Sequence, residues 1–377
     1  MTALELPIPP LMAPPDTNTD AHTNPDTDAT NGGGAAPPAG SRVDRAVDAV
    51  RRGGFAVVVD DAGAGALVLV AQATTPEKIA FLVHHTTGVV SVPLSGPRLD
   101  ALLLPPMVAG DRDGFTVSVD ARHGTTTGTS AADRCLTVHA LVDPGTKPGD
   151  LSRPGHVFPQ RTDERGVLGR PGRGEAAVDL ARLAGAHHPA GVTAELVDDD
   201  GALLEGDALA RFAERHRLPL VGIADLVRHR HQHEKLVRRV SAARVPTPYG
   251  DYTAVVYESL LDGSEHIAFV LGDVAAIAEA VGDVPVHVHA ECITGDTFGS
   301  LRCDCRRRLD TARHRIRDFG CGVIVYLRHQ DLHQAGTARE LNHPELHQDR
   351  SRHGGVAAQI LTDLGVAATP GRASNAG

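Results

Sequence analysis

Residues 55–71 read Phe-Ala-Val-Val-Val-Asp-Asp-Ala-Gly-Ala-Gly-Ala-Leu-Val-Leu-Val-Ala. The stretch holds two short apolar runs, 55–59 and 66–71, on either side of a turn made of Asp, Ala and Gly. Short runs rich in Val and Leu, bounded by turn residues, are typical of buried strands. The stretch therefore predicts two short buried strands.

Helical signals stand on both sides of this strand pair. Val43, Ala46, Val47 and Val50 have helical spacing before it, and Thr75-Pro76 after it combines an N-cap residue with proline at the first helical position. The alternation continues along the chain and predicts an α/β (α+β) fold, with two domains that are each a mixed sheet with flanking helices. Further strands are predicted at 89–94, 115–119, 254–257, 267–271, 284–289 and 322–326, and helices at 178–183, 208–216, 307–319 and 356–364.

Changes in composition along the 377 residues predict the domain limits. Residues 1–40 are rich in Pro, Thr, Asn, Asp and Gly and predict a disordered acidic tail. Two domains are expected at 41–230 and 245–366. A linker is expected at 231–244, after the polar, His-rich end of a helix, and a second disordered tail at 367–377.

Charge and cysteine content exclude several classes of protein. With 37 Lys and Arg against 47 Asp and Glu, the net charge of -10 argues against nucleic acid as a partner. The five cysteines are an odd number with three close together, which favours a reducing compartment and a metal site over disulfides. No apolar run reaches the roughly 18 residues that span a bilayer, and no secretory signal is visible. We therefore expect a cytoplasmic protein without a membrane partner.

Four stretches of the N-terminal part could carry chemistry. A hydroxyl-rich turn at 125–134 contains Thr127 and Asp133 and could hold an oxyanion, although such turns are common. Residues 153–159, Arg-Pro-Gly-His-Val-Phe-Pro, predict a fixed loop that presents His156 as a general base, a metal ligand or a structural histidine.

The other two stretches bring a cation and an acid. Arg170 and Arg173, in Arg-Pro-Gly-Arg-Gly-Glu, could bind a phosphate group. Glu195 follows a short apolar strand, a position that can suit a carboxyl group for acid–base work.

Three cysteines mark the C-terminal part. Cys292, Cys303 and Cys305 are spaced to give zinc three thiolates. The fourth position could be held by water, as a catalytic zinc requires, or closed by a nearby histidine such as His289. Three buried thiols without a metal are the less favoured alternative at this spacing.

Together the N-terminal stretches resemble 3,4-dihydroxy-2-butanone 4-phosphate synthase over residues 43–230, through Thr-Thr-Gly-x-Ser-Ala-x-Asp-Arg and Arg-Pro-Gly-His-Val-Phe-Pro. The resemblance implies conversion of ribulose 5-phosphate to dihydroxybutanone phosphate and formate on magnesium, by a homodimer formed through this domain. His156 and Glu195 match the essential His and Glu, Arg170 matches a phosphate-binding arginine, and Thr127 and Asp133 fall among the substrate-binding positions.

This chain departs from the synthase pattern at the metal. The family's acidic loop after Asp60-Asp61 is replaced by a shorter Ala-Gly-Ala-Gly-Ala at 62–66. The metal-binding His of the family's Arg-x-Gly-His-Thr-Glu falls on Arg173. Magnesium is normally held by one or two carboxylates plus substrate oxygens. Because the acidic loop is missing and the His is replaced by Arg173, both protein ligands that the resemblance implies are lost.

Residues 245–365 resemble GTP cyclohydrolase II through the stretch from Glu291 to Cys305. The resemblance implies opening of the imidazole ring of GTP on a zinc ion held by the three cysteines. His289 and Glu291 fall on the nucleotide-binding strand, and Arg352 matches the nucleophilic arginine.

Departures occur here as well. Arg306-Arg307-Arg308 replaces a Gly-x-Gln motif, Asp331-Leu332-His333 replaces a Glu-Gly-Arg motif, and the sequence stops before the last nucleotide-contacting residues of the family. Three functions stay open: residual lyase chemistry on a sugar phosphate, zinc-dependent hydrolysis of a purine nucleotide, and a zinc-stabilised pseudoenzyme that scaffolds or regulates flavin synthesis.

Overall fold

The computed structural model describes residues 39–108, 114–328 and 350–366, with the side chains of 42–108, 114–280, 282–328 and 355–366. The tails predicted at 1–40 and 367–377 lie almost wholly outside these residues. Two separate sheets organise the described chain, of seven and five strands. Together with their helices they confirm the α/β class with two mixed sheets.

The first sheet has the strand order β4-β5-β3-β6-β2-β1-β7. The strands are β1 (Ala56–Val59), β2 (Gly65–Val70), β3 (Val90–Leu94), β4 (Val119–Ala121), β5 (Leu151–Arg161), β6 (Gly191–Glu195) and β7 (Leu220–Gly222). Both strands expected at 55–59 and 66–71 are present, and β1 runs antiparallel to β2, with Val57 opposite Leu67. Pairing of β1 with β7 and of β3 with β5 is parallel, so the sheet is mixed.

Helices cover both faces of this sheet, which explains its strongly apolar strands. Alternate residues separate two buried clusters: Leu69 packs into one, and its neighbours Val68 and Val70 pack into the other. The helices are α1 (Ala39–Arg51), α2 (Pro76–His85), α3 (Gly96–Ala101), α4 (Ala131–Val142), α5 (Arg173–Leu183), α6 (Gly206–Arg215) and α7 (Ile223–His233). Helices α2, α3 and α4 line the first cluster, and α1, α5 and α7 line the second.

The second sheet has the order β11-β12-β10-β9-β8. Its elements are β8 (Val237–Thr247), β9 (Gly250–Ser259), β10 (Glu265–Leu271), α8 (Val274–Val281), β11 (Val286–Ala290), α9 (Cys305–Phe319), β12 (Gly322–Leu327) and α10 (Arg350–Asp363). Only the edge strand β11 pairs in parallel among the described strands of this sheet. Helices α8 and α10 pack on one face, and α9 packs on the other.

The structure differs from the sequence-based expectation at three places. The strand expected at 115–119 is displaced, because β4 covers Val119–Ala121. Residues 153–159 are not a loop, because β5 runs through them and pairs with β3 and β4. Proline offers no N–H, but the carbonyl of Pro159 still accepts from the Thr116 N–H at 3.0 Å. In the predicted linker 231–244, α7 continues to His233 and β8 begins at Val237, so regular structure is interrupted only briefly.

Helix α10 is hydrogen-bonded to this short segment between α7 and β8. The Gln359 amide accepts from the Leu236 N–H at 2.7 Å and donates to the carbonyls of His231 and Glu234 at 2.9 and 2.6 Å. No helix among the described residues is long and apolar enough to cross a membrane.

Candidate active site and metal centre

His156 and Glu195 lie on one face and at one edge of the first sheet. Val157 and Ala194, their strand neighbours, pack into the cluster of α2, α3 and α4, so both side chains point to the opposite face. Val157 pairs with Val90 at the start of β3, and the Glu195 carbonyl accepts from Thr87, just before β3. Strand β3 separates the two residues, which places their Cα atoms about 10 Å apart. Both side chains can therefore reach the same region above this edge of the sheet.

Asp120 orients the His156 ring. Its Oδ2 lies 2.7 Å from His156 Nδ1, and its Oδ1 accepts from the His156 backbone N–H at 2.9 Å. The Asp120 side chain is 11 % exposed and that of His156 is 41 % exposed. A carboxylate at Nδ1 sets the ring orientation and leaves Nε2 to meet a ligand, the arrangement of a histidine general base.

The hydroxyl-rich turn packs against this pair. Gly128 has φ +82°, and a Cβ there would lie 2.0 Å from Asp120 Oδ2 and 2.8 Å from His156 Nδ1. Asp133 holds the turn from beneath, accepting from Thr126 Oγ1 at 2.8 Å and from the Gly128 N–H at 3.0 Å. The Thr126 hydroxyl is the main cause of the lowered pKa of Asp133. Thr127 is exposed and bonds to Thr129 Oγ1 at 2.9 Å, so of the two predicted substrate contacts only Thr127 faces solvent.

Arg173 joins two carboxylates at the same edge of the sheet. Its Nη2 bonds to Glu195 Oε1, and its Nη1 lies 3.3 Å from Asp60 Oδ2. Arg173 is the first residue of α5, Asp60 follows β1, and Glu195 ends β6. Three separate elements therefore bring one guanidinium group between two acids.

Arg170 lies elsewhere. Its Nε bonds to Glu175 Oε1 at 2.6 Å, and its Nη2 bonds to the Arg161 carbonyl at 2.7 Å. Arg161 is five residues along β5 from His156, a separation of roughly 16 Å. The structure does not bring this predicted phosphate ligand to His156 within the chain.

The three cysteines meet around one point. Their sulfur atoms all lie within 4.8 Å of one another, and Cys292 Sγ and Cys303 Sγ are 3.8 Å apart. Cys292 follows β11, and Cys305 is the first residue of α9, where the helix N-terminus favours a thiolate. Without a metal, burial raises the pKa of Cys292 and of Cys305.

A glycine makes the cysteine cluster possible. A Cβ on Gly295 would lie 2.7 Å from Cys303 Sγ and 2.9 Å from Cys292 Sγ. The Gly295 N–H also donates to Cys292 Sγ at 3.2 Å. Close sulfur atoms, a backbone donor and a cradle without a side chain all fit a thiolate-bound zinc ion.

Asp296 forms a buried network behind the cluster. It accepts from Cys292 N–H at 2.9 Å and from the Tyr326 hydroxyl at 2.8 Å, and His289 Nε2 lies 2.9 Å from its Oδ1. Burial alone would raise the pKa of Asp296, but the bonds from His289, Cys292 and Tyr326 together lower it. His289 is 4 % exposed. Its other nitrogen faces His287 Nε2 at 3.4 Å, so His289 does not supply a fourth ligand to the cluster.

The remaining predicted residues have less defined settings. Glu291 Oε1 lies 3.7 Å from Arg328 Nε, and its N–H bonds to the Leu327 carbonyl at 2.8 Å. Arg352 lies on α10, but its side chain falls outside the described residues.

Comparison with known proteins accounts for both sheets. A family model for 3,4-dihydroxy-2-butanone 4-phosphate synthase matches residues 44–229, and one for GTP cyclohydrolase II matches residues 238–369. The riboflavin biosynthesis protein RibBA of Rhodococcus erythropolis is 44% identical over 86% of this chain and 82% of its own length. This chain belongs to the RibBA family of riboflavin biosynthesis proteins.

Further relatives extend the comparison. A chloroplastic bifunctional riboflavin biosynthesis protein of Arabidopsis thaliana, RIBA 1, is 44% identical over 87% of this chain and 64% of its own length. The crystal structure of RibBX from A. baumannii, a two-domain 3,4-dihydroxy-2-butanone 4-phosphate synthase, has a TM-score of 0.67. It is 34% identical and covers 86% of this chain and 91% of that one.

The two metals implied by the RibBA family fit this chain differently. The three sulfur atoms fit zinc, which could polarise a bound water from the open position. Magnesium does not fit the first site, because the guanidinium of Arg173 stands between Asp60 and Glu195 and the loop at 62–66 brings no carboxylate.

Sequence reasoning missed several residues of these sites. Asp120 was an unmarked Asp directly after the strand expected at 115–119, and Asp296 and Tyr326 carried no local signal. Of these residues, only Asp120 could have been recognised from the sequence as a site residue. It lies next to the end of a strand, at Ala121, where functional carboxylates are often found. The partners of Asp296 come from two strands and a turn, which no spacing rule connects.

Proposed function

We propose that this chain serves riboflavin biosynthesis as a zinc-stabilised member of the RibBA family that no longer carries out the magnesium-dependent lyase reaction of its N-terminal domain. The observation that carries the proposal is the contact of Arg173 with Asp60 and Glu195. A guanidinium held between two acids removes them from metal binding. It also engages one oxygen of Glu195, the carboxyl group expected to move protons.

What remains of the first site is a pocket for a small phosphorylated ligand. The Asp120–His156 pair and the exposed Thr127 keep a polar edge on which a sugar phosphate such as ribulose 5-phosphate could lie. His156 keeps the geometry of a base. Asp60 and Glu195, however, are engaged by Arg173 and do not hold a magnesium ion. Binding without turnover is the behaviour we expect.

The second site supports a second candidate function, zinc-dependent hydrolysis of a purine nucleotide such as GTP. Three thiolates and no fourth protein ligand among the described residues leave a position for water. The family resemblance implies Arg352 as the nucleophile of such a reaction, and Asp296 holds the Cys292 backbone through its N–H. We place this candidate second because three arginines at 306–308 replace a motif of the cyclohydrolase.

Formate release separates these functions. Zinc-loaded protein is assayed with ribulose 5-phosphate plus magnesium, and separately with GTP. We expect no formate from ribulose 5-phosphate. Formate that His156→Ala abolishes would overturn the proposal. Formate from GTP that Cys303→Ser abolishes would establish the second candidate, and formate from neither substrate supports a scaffolding or regulatory role.

The proposal has three further parts. A homodimer formed through the N-terminal domain rests on the family resemblance. The cytoplasmic location rests on the cysteine content and the lack of a visible signal, and the domain limits near 41–230 and 245–366 rest on composition.

A further inference from the structure

Two carboxylates of the first site share one counter-ion. Asp60 Oδ2 and Glu195 Oε1 both contact the Arg173 guanidinium, the first at 3.3 Å. Among the described residues, Arg173 is the cation that forms ion pairs with Asp60 and with Glu195. The three side chains are 28 %, 24 % and 39 % exposed for Arg173, Asp60 and Glu195, so solvent screens the trio only in part.

The acids are held in place from behind. Asp60 Oδ1 accepts from the N–H groups of Ala62 and Ala64, both at 3.0 Å, which turns Oδ2 toward the pocket. The Glu195 backbone is paired on both sides, with Ala66 on β2 and with the Thr87 N–H. Two acids fixed at one edge repel each other unless a cation lies between them.

Arg173 is placed to be that cation. It starts α5, and the following Gly174 packs so closely that a Cβ there would lie 2.6 Å from Gln160 Oε1. Its Nη1 is buried and meets Asp60 without the geometry of a hydrogen bond, so the contact is an ion pair. A guanidinium cannot lose its proton in a protein, and a tethered cation does not dissociate.

We propose that Arg173 takes the place of a divalent ion in this pocket, so that Asp60 and Glu195 bind Mg²⁺ or Mn²⁺ only when Arg173 is removed. The inference deepens the proposed function and rests on it only for the location of the site. Mg²⁺ and Mn²⁺ prefer carboxylate oxygens and keep several waters, so two freed acids at a solvent-reached edge suit them.

Binding of Mn²⁺ tests the inference without substrate or turnover. Full-length protein with its cysteines saturated with zinc is titrated with Mn²⁺, and free Mn²⁺ is followed by electron paramagnetic resonance. We expect no saturable site in the wild type. Arg173→Ala and Arg173→His should each gain about one site per chain, at least about tenfold tighter than any binding by the wild type.

Two controls isolate the role of the guanidinium. Arg173→Lys keeps a tethered cation and should exclude Mn²⁺ as the wild type does. Arg51→Ala changes the net charge as Arg173→Ala does, at an exposed pair with Asp48 at 2.7 Å, and should gain no site. Circular dichroism checks that each variant folds, and Arg173→His serves if the alanine variant does not.

Two results would overturn the inference. One is saturable Mn²⁺ binding by the wild type that Glu195→Gln removes. The other is a folded Arg173→Ala or Arg173→His protein that binds no more Mn²⁺ than the wild type. Formate production by a wild type that excludes Mn²⁺ would refute the proposed loss of lyase activity and leave this inference standing.

Discussion

Single residues with no side chain decide whether the cysteine cluster can form. Gly295 lies against two of the three sulfur atoms, and Gly128 lies in the same way against the Asp120–His156 pair. The sequence did not show that either glycine is needed for close packing, because the residues that it contacts lie elsewhere in the chain or across a turn. Both are needed for close approach.

Substitution of Gly295 tests this requirement. In Gly295→Ala the new methyl group would lie 2.7 Å from Cys303 Sγ, so the sulfur atoms must move apart. We expect zinc affinity to fall on the order of 10-fold to 100-fold, measured by competition with a chromogenic chelator. Gly149→Ala, where a Cβ meets no atom within 4 Å, should bind zinc as the wild type does. Unchanged affinity in Gly295→Ala would show that the cluster is not arranged as described.

His287 should make the second sheet sensitive to acid. Burial, helped by the charges of His289 and Arg308, lowers the pKa of His287 to about 4. Because this pKa lies below the unfolded value near 6.5, the unfolded chain binds the proton more readily. Stability is then lost as the pH falls from about 6.5 toward 4.

The comparison of wild type with His287→Asn isolates this contribution. Between pH 7 and pH 5 the wild type should lose about 2 kcal/mol more unfolding free energy than the variant. Urea denaturation of the two zinc-loaded proteins at both pH values measures the difference, and other titrating groups cancel. Equal losses in the two proteins would contradict the buried, neutral state of His287.

At the scale of elements, a buried ion pair joins α5 to α7. Arg230 Nη1 lies 2.8 Å from Asp179 Oδ2 and donates to the Arg165 carbonyl at 2.6 Å. Asp179 has no exposed side-chain surface, and Arg230 also pairs with Glu234 at the end of α7. The sequence indicated only a polar helix end here, since nothing local places Asp179 beneath it.

Removal of Arg230 should leave the buried Asp179 carboxylate with only the half-exposed Arg182 and the Val167 N–H as described partners. We expect Arg230→Met to lower the unfolding free energy by roughly 3–5 kcal/mol, seen as a lower midpoint in urea. Replacing both partners, as Arg230→Met with Asp179→Leu, should recover most of that loss. Arg228→Ala, at an exposed pair on the same helix, should cost less than about 1 kcal/mol. Equal effects at 228 and 230 would argue against the buried pair.

At the scale of the whole molecule, the two sheets should differ in their dependence on metal. The first is covered by three buried apolar clusters, whereas the second has two and also contains the cysteine cluster between β11 and α9. Zinc held by thiolates contributes on the order of 10 kcal/mol in small structural sites. Loss of zinc should therefore affect residues 245–365 far more than the N-terminal sheet.

Chelation tests this difference. We expect about one zinc per chain by metal analysis. On treatment with a chelator, hydrogen exchange should rise across 245–365 and stay low in β1, β2 and β6. Purified protein without zinc and with an unchanged melting curve would show that the second sheet does not need the ion.

Sequence reasoning reached most elements of the fold. Helices and strands with strong periodicity, such as α2 and β12, were predicted nearly to their limits. The errors fell where local signals compete, as in β5, whose two prolines suggested a loop. A proline in a strand can still pair through its carbonyl group. Whether it does so depends on the neighbouring strands, which the local sequence does not show.

The amino-acid sequence by itself determined the fold class, the family and the identity of the three cysteines, because these depend on spacing and residue type along the chain. Tertiary structure alone decided what the charged residues do. It placed Arg170 away from His156, paired His156 with Asp120, and set Arg173 between Asp60 and Glu195. Charges act through space over a few ångströms, and two residues at that distance, Arg173 and Asp60, are 113 positions apart in the chain.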